Sequence, residues 1–364
     1  MARIVIDARE SGTSTGRYID KLIENLHALQ PEFEFVILTK PVRVGYLKSI
    51  APNFKVLESN CKEFTFAEQF GLLKQIRGLK ADLVHFAMPQ QPLLYRGKVV
   101  TTIHDLTTTR FRNPSKNQVV FWLKQQVYKW LIKKVVRKSS QIISVSQFVK
   151  NDVAQYAKIR DDKITVIYLA ADKIAEAPKS VPDVTPGSFI MYVGRPLPHK
   201  NLKRLIEAYS IIRNTKHSVQ LALVGAPDKL YDRHAQWVKA EHVEGVVFTG
   251  FASEGQLRWL YQNSAAYVFP SLSEGFGLPG LEAMVHGAPV ISSRATCLPE
   301  IYGEAAEYFD PTSVRDMVRV IGHVLEDPAR RQQLRQLGFA QARKYSWRKT
   351  AEQTLAIYRQ VLSS

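Results

Sequence analysis

The chain has 364 residues, of which 45% are apolar and 23% charged, a composition that excludes a mainly disordered protein. A single core rarely grows to this length, which predicts two domains, and no run of roughly 18 apolar residues stands ready to span a bilayer. The net charge is +17, and it is uneven: residues 1–170 hold 27 basic and 14 acidic residues, against 23 and 19 in the remainder. A basic half points to an anionic partner (nucleic acid, a membrane surface or a phosphorylated substrate) or to a merely solvated surface.

The N-terminus opens on Ile4-Val5-Ile6, too short for a secretory signal, which gives a cytoplasmic expectation. Cys61 and Cys297 are too few for a disulfide framework or a zinc ribbon. After the first apolar run comes the small-residue loop Gly12-Thr13-Ser14-Thr15-Gly16, then a helical pattern with Leu22, Ile23 and Leu26 on one face. The loop lacks the spacing of a dinucleotide fingerprint and the Gly-Lys of a P-loop, so a plain turn explains it equally well. Apolar runs recur at Phe35–Leu38, Leu83–Phe86, Val99–Ile103 and Ile142–Val145, several separated by helical stretches. Such alternation predicts a parallel sheet covered on both faces.

Within 91–150 there are 12 basic residues and one acid, Asp105, which follows His104 at the end of an apolar run. The pair reads as catalytic, orienting or structural; a metal role lacks a second ligand cluster at suitable spacing. Residues 121–138, FWLKQQVYKWLIKKVVRK, form a predicted helix that interleaves Trp122, Tyr128 and Trp130 with lysines and arginines. This pattern fits a membrane-surface helix, or a helix packed on the core with a solvated basic face.

Pro178, Pro182, Pro186 and Gly187 mark residues 171–187 as a linker. The alternation resumes at Phe189–Val193 and continues through Leu221–Val224, Val246–Phe248, Ala266–Phe269 and Pro289–Ile291. The fold class is therefore α/β, with two doubly wound, Rossmann-like domains facing a deep cleft. The boundaries are 1–170 for an acceptor-side domain, 171–187 for the linker and 188–345 for a donor-side domain.

Two motifs in the second half carry the chemistry. In Gly194-Arg195-Pro196-Leu197-Pro198-His199-Lys200-Asn201-Leu202, a strand ends at a glycine and two cations follow. Arg195 and Lys200 at that position can neutralise a diphosphate, or form a solvated loop pair. In Glu274-Gly275-Phe276-Gly277-Leu278-Pro279-Gly280-Leu281-Glu282, glycines allow a tight approach to a ligand, and Pro279 suits a first helical turn. The helix should end near His286, with Gly287 as its C-terminal cap. Its N-terminus favours a phosphate. Glu274 and Glu282 can accept hydrogen bonds from sugar and ribose hydroxyls, although Glu282 also complements a helix start.

Together these segments resemble the retaining glycosyltransferases of family 4, with the GT-B fold, over nearly the whole chain. Glu274 and Glu282 match the family's E-x7-E element, and Gly194-Arg195 with His199–Leu202 match its phosphate-binding motif. Ile103–Leu106, Ser144–Lys150, Phe248–Phe251, Leu298–Glu300 and the tail from Tyr345 agree in order. Many relatives carry a glycine before the residue matching Asp172, where this chain has alanine.

The resemblance implies a nucleotide-sugar donor on the second domain, with the last helix, 346–364, crossing back onto the first. Arg195 and Lys200 would grip the diphosphate, with Gly194 beside them. Glu282 would take the ribose, and Glu274 the transferred sugar, helped by Gly275 and the backbone N–H groups of Phe276, Gly277 and Leu278. Gly250, Phe251 and Ala252 would line the base through their main chain. Gly16 would let its loop close over the phosphates, and His104 would face the sugar. No resident cofactor or metal is implied. The His-Asp-Leu type, with Glu68-Gln69 and Pro89…Pro92, looks most like bacterial mannosyltransferases of polysaccharide assembly. That implies GDP-mannose as donor, with a UDP-sugar as alternative and an epimerase of the same architecture as a further one. The acceptor would be a glycan or a polyprenyl or other lipid-linked sugar, with peripheral contact to an anionic membrane at its inner face. No nucleic-acid-binding signature appears.

Overall fold

The computed structural model describes residues 1–13, 15–63, 65–112, 117–214 and 218–364. Ser14, in the centre of the Gly12–Gly16 loop, lies outside the described residues. The chain divides into two compact units. The first comprises Met1–Leu106, Gln125–Leu169 and Ser346–Ser364; the second comprises Thr107–Lys124 and Ala170–Tyr345.

The chain runs β1 (Arg3–Asp7), α1 (Gly16–Ala28), β2 (Glu34–Thr39), α2 (Pro41–Ile50) and β3 (Lys55–Glu58). A π-helical turn over Ala67–Leu72 leads into α3 (Leu73–Gly78). Then follow β4 (Leu83–Phe86), β5 (Lys98–Ile103), α4 (Thr107–Arg110), α5 (Gln118–Lys138), β6 (Gln141–Ser144), α6 (Gln147–Ala157) and β7 (Ile164–Val166). All strand pairs are parallel, in the order β3-β2-β1-β4-β5-β6-β7. Strands such as Ile4-Val5-Ile6 are buried outright, because helices cover both faces of a parallel sheet.

The second unit continues with β8 (Phe189–Val193), α7 (Leu202–Arg213), β9 (Gln220–Val224), α8 (Lys229–Ala240), β10 (Val246–Gly250) and α9 (Glu254–Asn263). Next come β11 (Ala266–Phe269), α10 (Leu278–Val285), β12 (Val290–Ser293), α11 (Leu298–Tyr302), β13 (Ala306–Phe309), α12 (Val314–Glu326) and α13 (Pro328–Ala342). Its parallel sheet has the order β10-β9-β8-β11-β12-β13. The order reverses at β8, where crossovers leave to opposite sides and a crevice opens at the strands' carboxyl ends. The core of this unit packs α7 and α12 against the sheet: Met317, Val320, Ile321 and Val324 make a stripe at 3.6-residue spacing against Leu205, Tyr209 and Ile212.

The last helix, α14 (Trp347–Ser363), belongs to the first unit. It is capped by Ser346, whose hydroxyl accepts from the Lys349 N–H, and its apolar face packs on α1. Tyr358 is fully buried, with its hydroxyl 2.5 Å from His85 Nδ1. His85 Nε2 meets the Thr102 hydroxyl at 2.9 Å, which in turn shares a hydrogen bond with Tyr18 at 3.0 Å. Thus α14, β4, β5 and α1 are joined by one buried polar chain, costly to break because each member would lose its partner out of reach of water. Burial, with the nearby His104 adding to it, pushes His85 down to about 3, so this chain is built on a neutral imidazole.

The segment 170–188 is irregular, but it is pinned to the second unit. The Arg258 guanidinium donates to the carbonyls of Ile174, Ala175 and Glu176, and Lys179 N–H donates to Gly255 O at 3.0 Å. Ile174 N–H donates to His286 Nε2 at 3.0 Å, while Nδ1 lies 2.7 Å from Glu282 O. Protonating Nε2 would turn that acceptor into a donor facing an N–H. Burial, reinforced by Arg258 and Lys173, pushes His286 from 6.5 down to about 4. A depressed folded-state value means that the unfolded chain binds more protons in this window. Stability from this contact should be complete above pH 6.5 and fall away as pH drops towards 4. Urea midpoints across that range should fall more steeply for the wild type than for His286→Gln; parallel curves would refute the assignment.

Candidate functional site

The carboxyl ends of β8, β10 and β11, the loops that follow them and helix α10 carry the second-half candidate site residues. The β8 loop begins at Gly194, with φ of +136°, and continues through a short 3-10 turn over Pro198–Lys200. Asn201 anchors it from a left-handed conformation. Its Nδ2 donates to Pro270 O at 3.0 Å and to Pro311 O at 2.7 Å. A second tie runs from Leu272 N–H to His199 O at 2.7 Å. The bonds to Pro270 and from Leu272 join the β8 and β11 loops on either side of the topological switch, and the bond to Pro311 ties in the loop after β13.

The two cations are each held by a carboxylate. Arg195 Nε donates to Asp228 Oδ2 at 2.7 Å, and the Arg195 side chain stays 56% exposed. Asp228 caps α8, accepting from Leu230 N–H and Tyr231 N–H at 2.8 and 3.0 Å. Burial would raise its carboxyl, but these N–H bonds and Arg195 outweigh that and hold it below the usual range. Lys200 Nζ donates to Glu274 Oε1 at 2.7 Å, with both side chains largely buried. An ammonium carries three donors, and this bond uses one.

The Glu274 loop is fixed from beneath. Its N–H donates to the Thr296 hydroxyl and its carbonyl accepts from that same hydroxyl, each at 3.0 Å. Cys297 Sγ also donates to Glu274 O at 3.3 Å. The eight-residue α10 then starts at Gly277, whose φ is +91°, with Pro279 in its first turn. The helix ends in a Schellman motif: Ala288 N–H reaches Ala283 O at 2.9 Å and Gly287 N–H reaches Met284 O at 3.1 Å, with Gly287 at φ +81°. Tyr302 braces the start of α10, its hydroxyl donating to Gly277 O at 2.5 Å. Gly275, Phe276 and Gly277 are buried, Leu278 less so. Glu282 follows inside α10, where the Tyr261 hydroxyl approaches Oε2 at 3.5 Å. Basic groups, a helix N-terminus and two carboxylates thus share one sheet edge. That set suits an anion flanked by hydroxyl-bearing groups.

Gly250 ends β10 with φ of +70°, and Ala252 is partly buried. Phe251 between them is 77% exposed, so a flat apolar ring stands at this edge beside the main chain expected to line a base.

The first unit holds the remaining residues. His104 follows β5, and its Nε2 donates to Ala87 O at 3.1 Å, with the ring edge-on to Tyr18 at 5.0 Å. Burial lowers its pKa against the opposing pull of Asp105 and of the Ala87 bond, which favours the neutral form. Gly16 is required by space: a Cβ there would sit 1.8 Å from Glu10 O. Glu68-Gln69 and Pro89…Pro92 are brought together. Gln69 Nε2 donates to Gln91 O and its Oε1 accepts from Leu93 N–H, both at 3.0 Å. Glu68 is part of a cluster that sequence reading missed. The Arg9 guanidinium, 2% exposed, donates to Asp7 at 2.7 Å and to Glu68 at 3.0 Å. Burial opposes its charge, yet the two carboxylates outweigh that and raise its pKa.

Asp228, Thr296 and Tyr302 were also not foreseen as site residues. For Asp228 a signal existed: Pro227-Asp228 stands between an apolar strand and a helical pattern, as an N-cap does. Thr296 and Tyr302 act across the fold, and no local pattern announces them. Among the described residues, no group of three or more His, Cys, Asp or Glu side chains is arranged to hold a metal.

Two family models tile the chain. "Glycosyltransferase Family 4" matches residues 15–173 and "Glycosyl transferases group 1" matches 174–341. The serotype-specific mannosyltransferase WbdA of Escherichia coli is 32% identical over 241 residues, covering 62% of this chain and 29% of its own length. The chain thus spans under a third of that relative. The O-antigen chain mannosyltransferase RfbU of Salmonella typhimurium is 29% identical over 88% of this chain and 89% of its own. Among solved structures, sucrose-phosphate synthase from Thermosynechococcus elongatus superposes over the full length of both chains with a TM-score of 0.80 at 18% identity, which shares the GT-B architecture.

Proposed function

We propose that this chain, which belongs to the family 4 glycosyltransferases, moves mannose from GDP-mannose onto a glycan or lipid-linked acceptor with retention of configuration. The observation that carries the reading is the grouping of Arg195, Lys200, the α10 N-terminus, Glu274 and Glu282 at the switch point of the second sheet. The similarity to WbdA and RfbU supports mannose.

In this reading Arg195 and Lys200 bind the diphosphate, with Gly194 letting its backbone approach. The N–H groups of Phe276, Gly277 and Leu278 assist. Glu282 accepts from the ribose hydroxyls and Glu274 from the sugar hydroxyls, with Gly275 giving that loop room. The backbone of Gly250–Ala252 meets the base. Gly16 shapes the first unit's loop, and His104 serves from that unit as a neutral hydrogen-bonding group. The acceptor oxygen bonds to the anomeric carbon as the bond to the diphosphate breaks. The acceptor's proton passes to the departing phosphate oxygen, on the same face. Negative charge builds on that phosphate, and fixed cations lower the barrier because they need no reorganisation. We propose that these cations replace a divalent metal and that the enzyme works on the cytoplasmic side of the membrane.

The test is thermal stabilisation by GDP, UDP, ADP and their sugar conjugates without metal. A ligand at about 100 times its Kd adds about 2.7 kcal/mol to stability. Stabilisation by GDP-mannose that is lost in Glu282→Ala, with acceptor-dependent release of GDP, supports the proposal. A UDP preference would replace the donor, and a trapped mannosyl-enzyme adduct would replace the mechanism.

A further inference from the structure

We infer that α4 and the Phe111 that follows it hold the Lys200–Glu274 pair in position, Thr107 acting through Ser273 and Phe111 through His199. The inference rests on the donor reading proposed above and extends it to residues from the first half of the chain. The segment Thr107–Lys124 belongs to the second unit, although it follows β5 of the first. Two of its side chains reach the loops after β8 and β11.

The Thr107 and Ser273 hydroxyls share a hydrogen bond at 3.2 Å across 166 residues of chain. Both residues are buried, at 7% and 6% exposure. The Phe111 ring packs on the His199 imidazole, with centroids 5.6 Å apart and planes tilted by 55°. Thr107 and Phe111 stand four apart, and Phe111 N–H donates to Thr107 O at 2.9 Å. That spacing is one helical turn, so both side chains leave the same face. Ser273 immediately precedes Glu274, and His199 immediately precedes Lys200. One turn of helix therefore touches the residue before each member of the ion pair, whose own bond is 2.7 Å.

What else holds these loops leaves this role open. Thr296 fixes the backbone of Glu274, and Leu272 N–H ties the β11 loop to His199 O. Neither bond sets the Ser273 side chain. Among the described residues its hydroxyl has Thr107 as partner. Removing that partner leaves a buried hydroxyl unpaired, and the loop must shift to bring it to water or to another group. A carboxylate that recognises hydroxyls is sensitive to such a shift, because hydrogen bonds weaken steeply away from their preferred geometry. The two side chains differ in what they steady. Thr107 bears on Glu274, which takes the sugar hydroxyls, and Phe111 bears on Lys200, which takes the diphosphate. Both are positioning residues, since each acts through a neighbour of the donor-binding side chain.

The experiment is calorimetric titration of the full chain with GDP and GDP-mannose, without metal, and with UDP and UDP-glucose in parallel. The fitted stoichiometry counts folded molecules, so a loss of folding lowers it without moving Kd. Thr107→Val should weaken the sugar conjugate about tenfold and the free nucleotide less than about twofold. Phe111→Ala should weaken both alike, by about three- to tenfold. Thr107→Ser keeps the hydroxyl and should bind as the wild type does. Ser273→Ala should match Thr107→Val, and the double variant should lose no more than either single one, since a single bond is removed. Equal weakening of nucleotide and conjugate by Thr107→Val, or losses that multiply in the double variant, would overturn the inference and leave Thr107 a packing residue. Glu274→Gln keeps the two failures apart. If it spares the conjugate, or if the wild type binds neither conjugate, the donor reading falls and this inference with it. If it weakens the conjugate while Thr107→Val does not, the inference alone falls.

Discussion

Replacing Arg195 by alanine is expected to lower the turnover of sugar transfer by at least about a hundredfold, the cost of removing one preorganised stabiliser of developing charge. The effect should fall on kcat more than on KM, because the charge on the departing phosphate grows as the bond breaks. The fold should survive. Arg195 is more than half exposed, it fills no part of the core, and the bond it loses is an exposed one to Asp228. Asp228 keeps its two N–H partners at the start of α8. This separates Arg195 from Asp228, which acts through it. Asp228→Asn retains a capping oxygen but loses the charge that steadies the guanidinium, and a loss of about tenfold or less is expected. Near-normal turnover in a folded Arg195→Ala variant would remove Arg195 from the diphosphate site. An Asp228→Asn loss as large as that of Arg195→Ala would reverse their roles.

Gly277→Ala is expected to be strongly destabilising. The backbone there has φ of +91°, where a Cβ costs on the order of 1 kcal/mol. The added atom would also lie 2.4 Å from the Tyr302 hydroxyl and 2.7 Å from Leu298 Cδ2. Both neighbours are buried, and overpacking of this kind costs about 1–3 kcal/mol. Together they predict a loss on the order of 3 kcal/mol, or roughly 6–12 °C in melting temperature for a unit of this size. Because α10 begins here, the shift should also abolish stabilisation by a nucleotide. Gly187→Ala is the control: its φ is +74°, but nothing lies within 4 Å of the added Cβ. Only the conformational cost should appear there. Equal losses in the two variants would show that Tyr302 and Leu298 yield, and that packing does not fix the helix start.

Much of the second unit was legible because its signals are local. Each central strand is a short apolar run. The start and end of α10 are marked by Pro279 and Gly287, and Ser346 marks the start of α14. Since a strand's carboxyl end is where a doubly wound fold binds ligands, knowing the strands places Arg195, Lys200 and Glu274 on one edge. What could not be read was how the cations are held. Asp228 lies 33 residues from Arg195 and Glu274 lies 74 from Lys200, and each pairing depends on which loops the sheet order brings together. The reading of a solvated loop pair was open for the same reason: the carboxylates that partner the two cations come from distant segments.

The first unit was less legible. The buried cluster of Asp7, Arg9 and Glu68 spans three segments, and a charged residue after a strand normally reads as surface. Helix α5 shows the opposite difficulty. Its sequence mixes rings and cations so evenly that two faces are hard to separate until the burial of Tyr128, Leu131 and Val135 fixes which side points inward.

By itself, then, the sequence determined the class of the fold, the place of the switch-point loops and the residue types gathered there. Periodicity, glycines and caps act within a few residues, and those interactions survive in any arrangement of the chain. The tertiary structure alone decided that Asp228 orients Arg195, that Tyr302 and Thr296 brace the α10 loop, that His85 joins α14 to the first sheet, and which face of α5 is left to solvent. Each of these depends on groups brought together from distant segments. Their distances are set by the order of strands and the packing of helices on them, and no pattern along the chain encodes a distance across it.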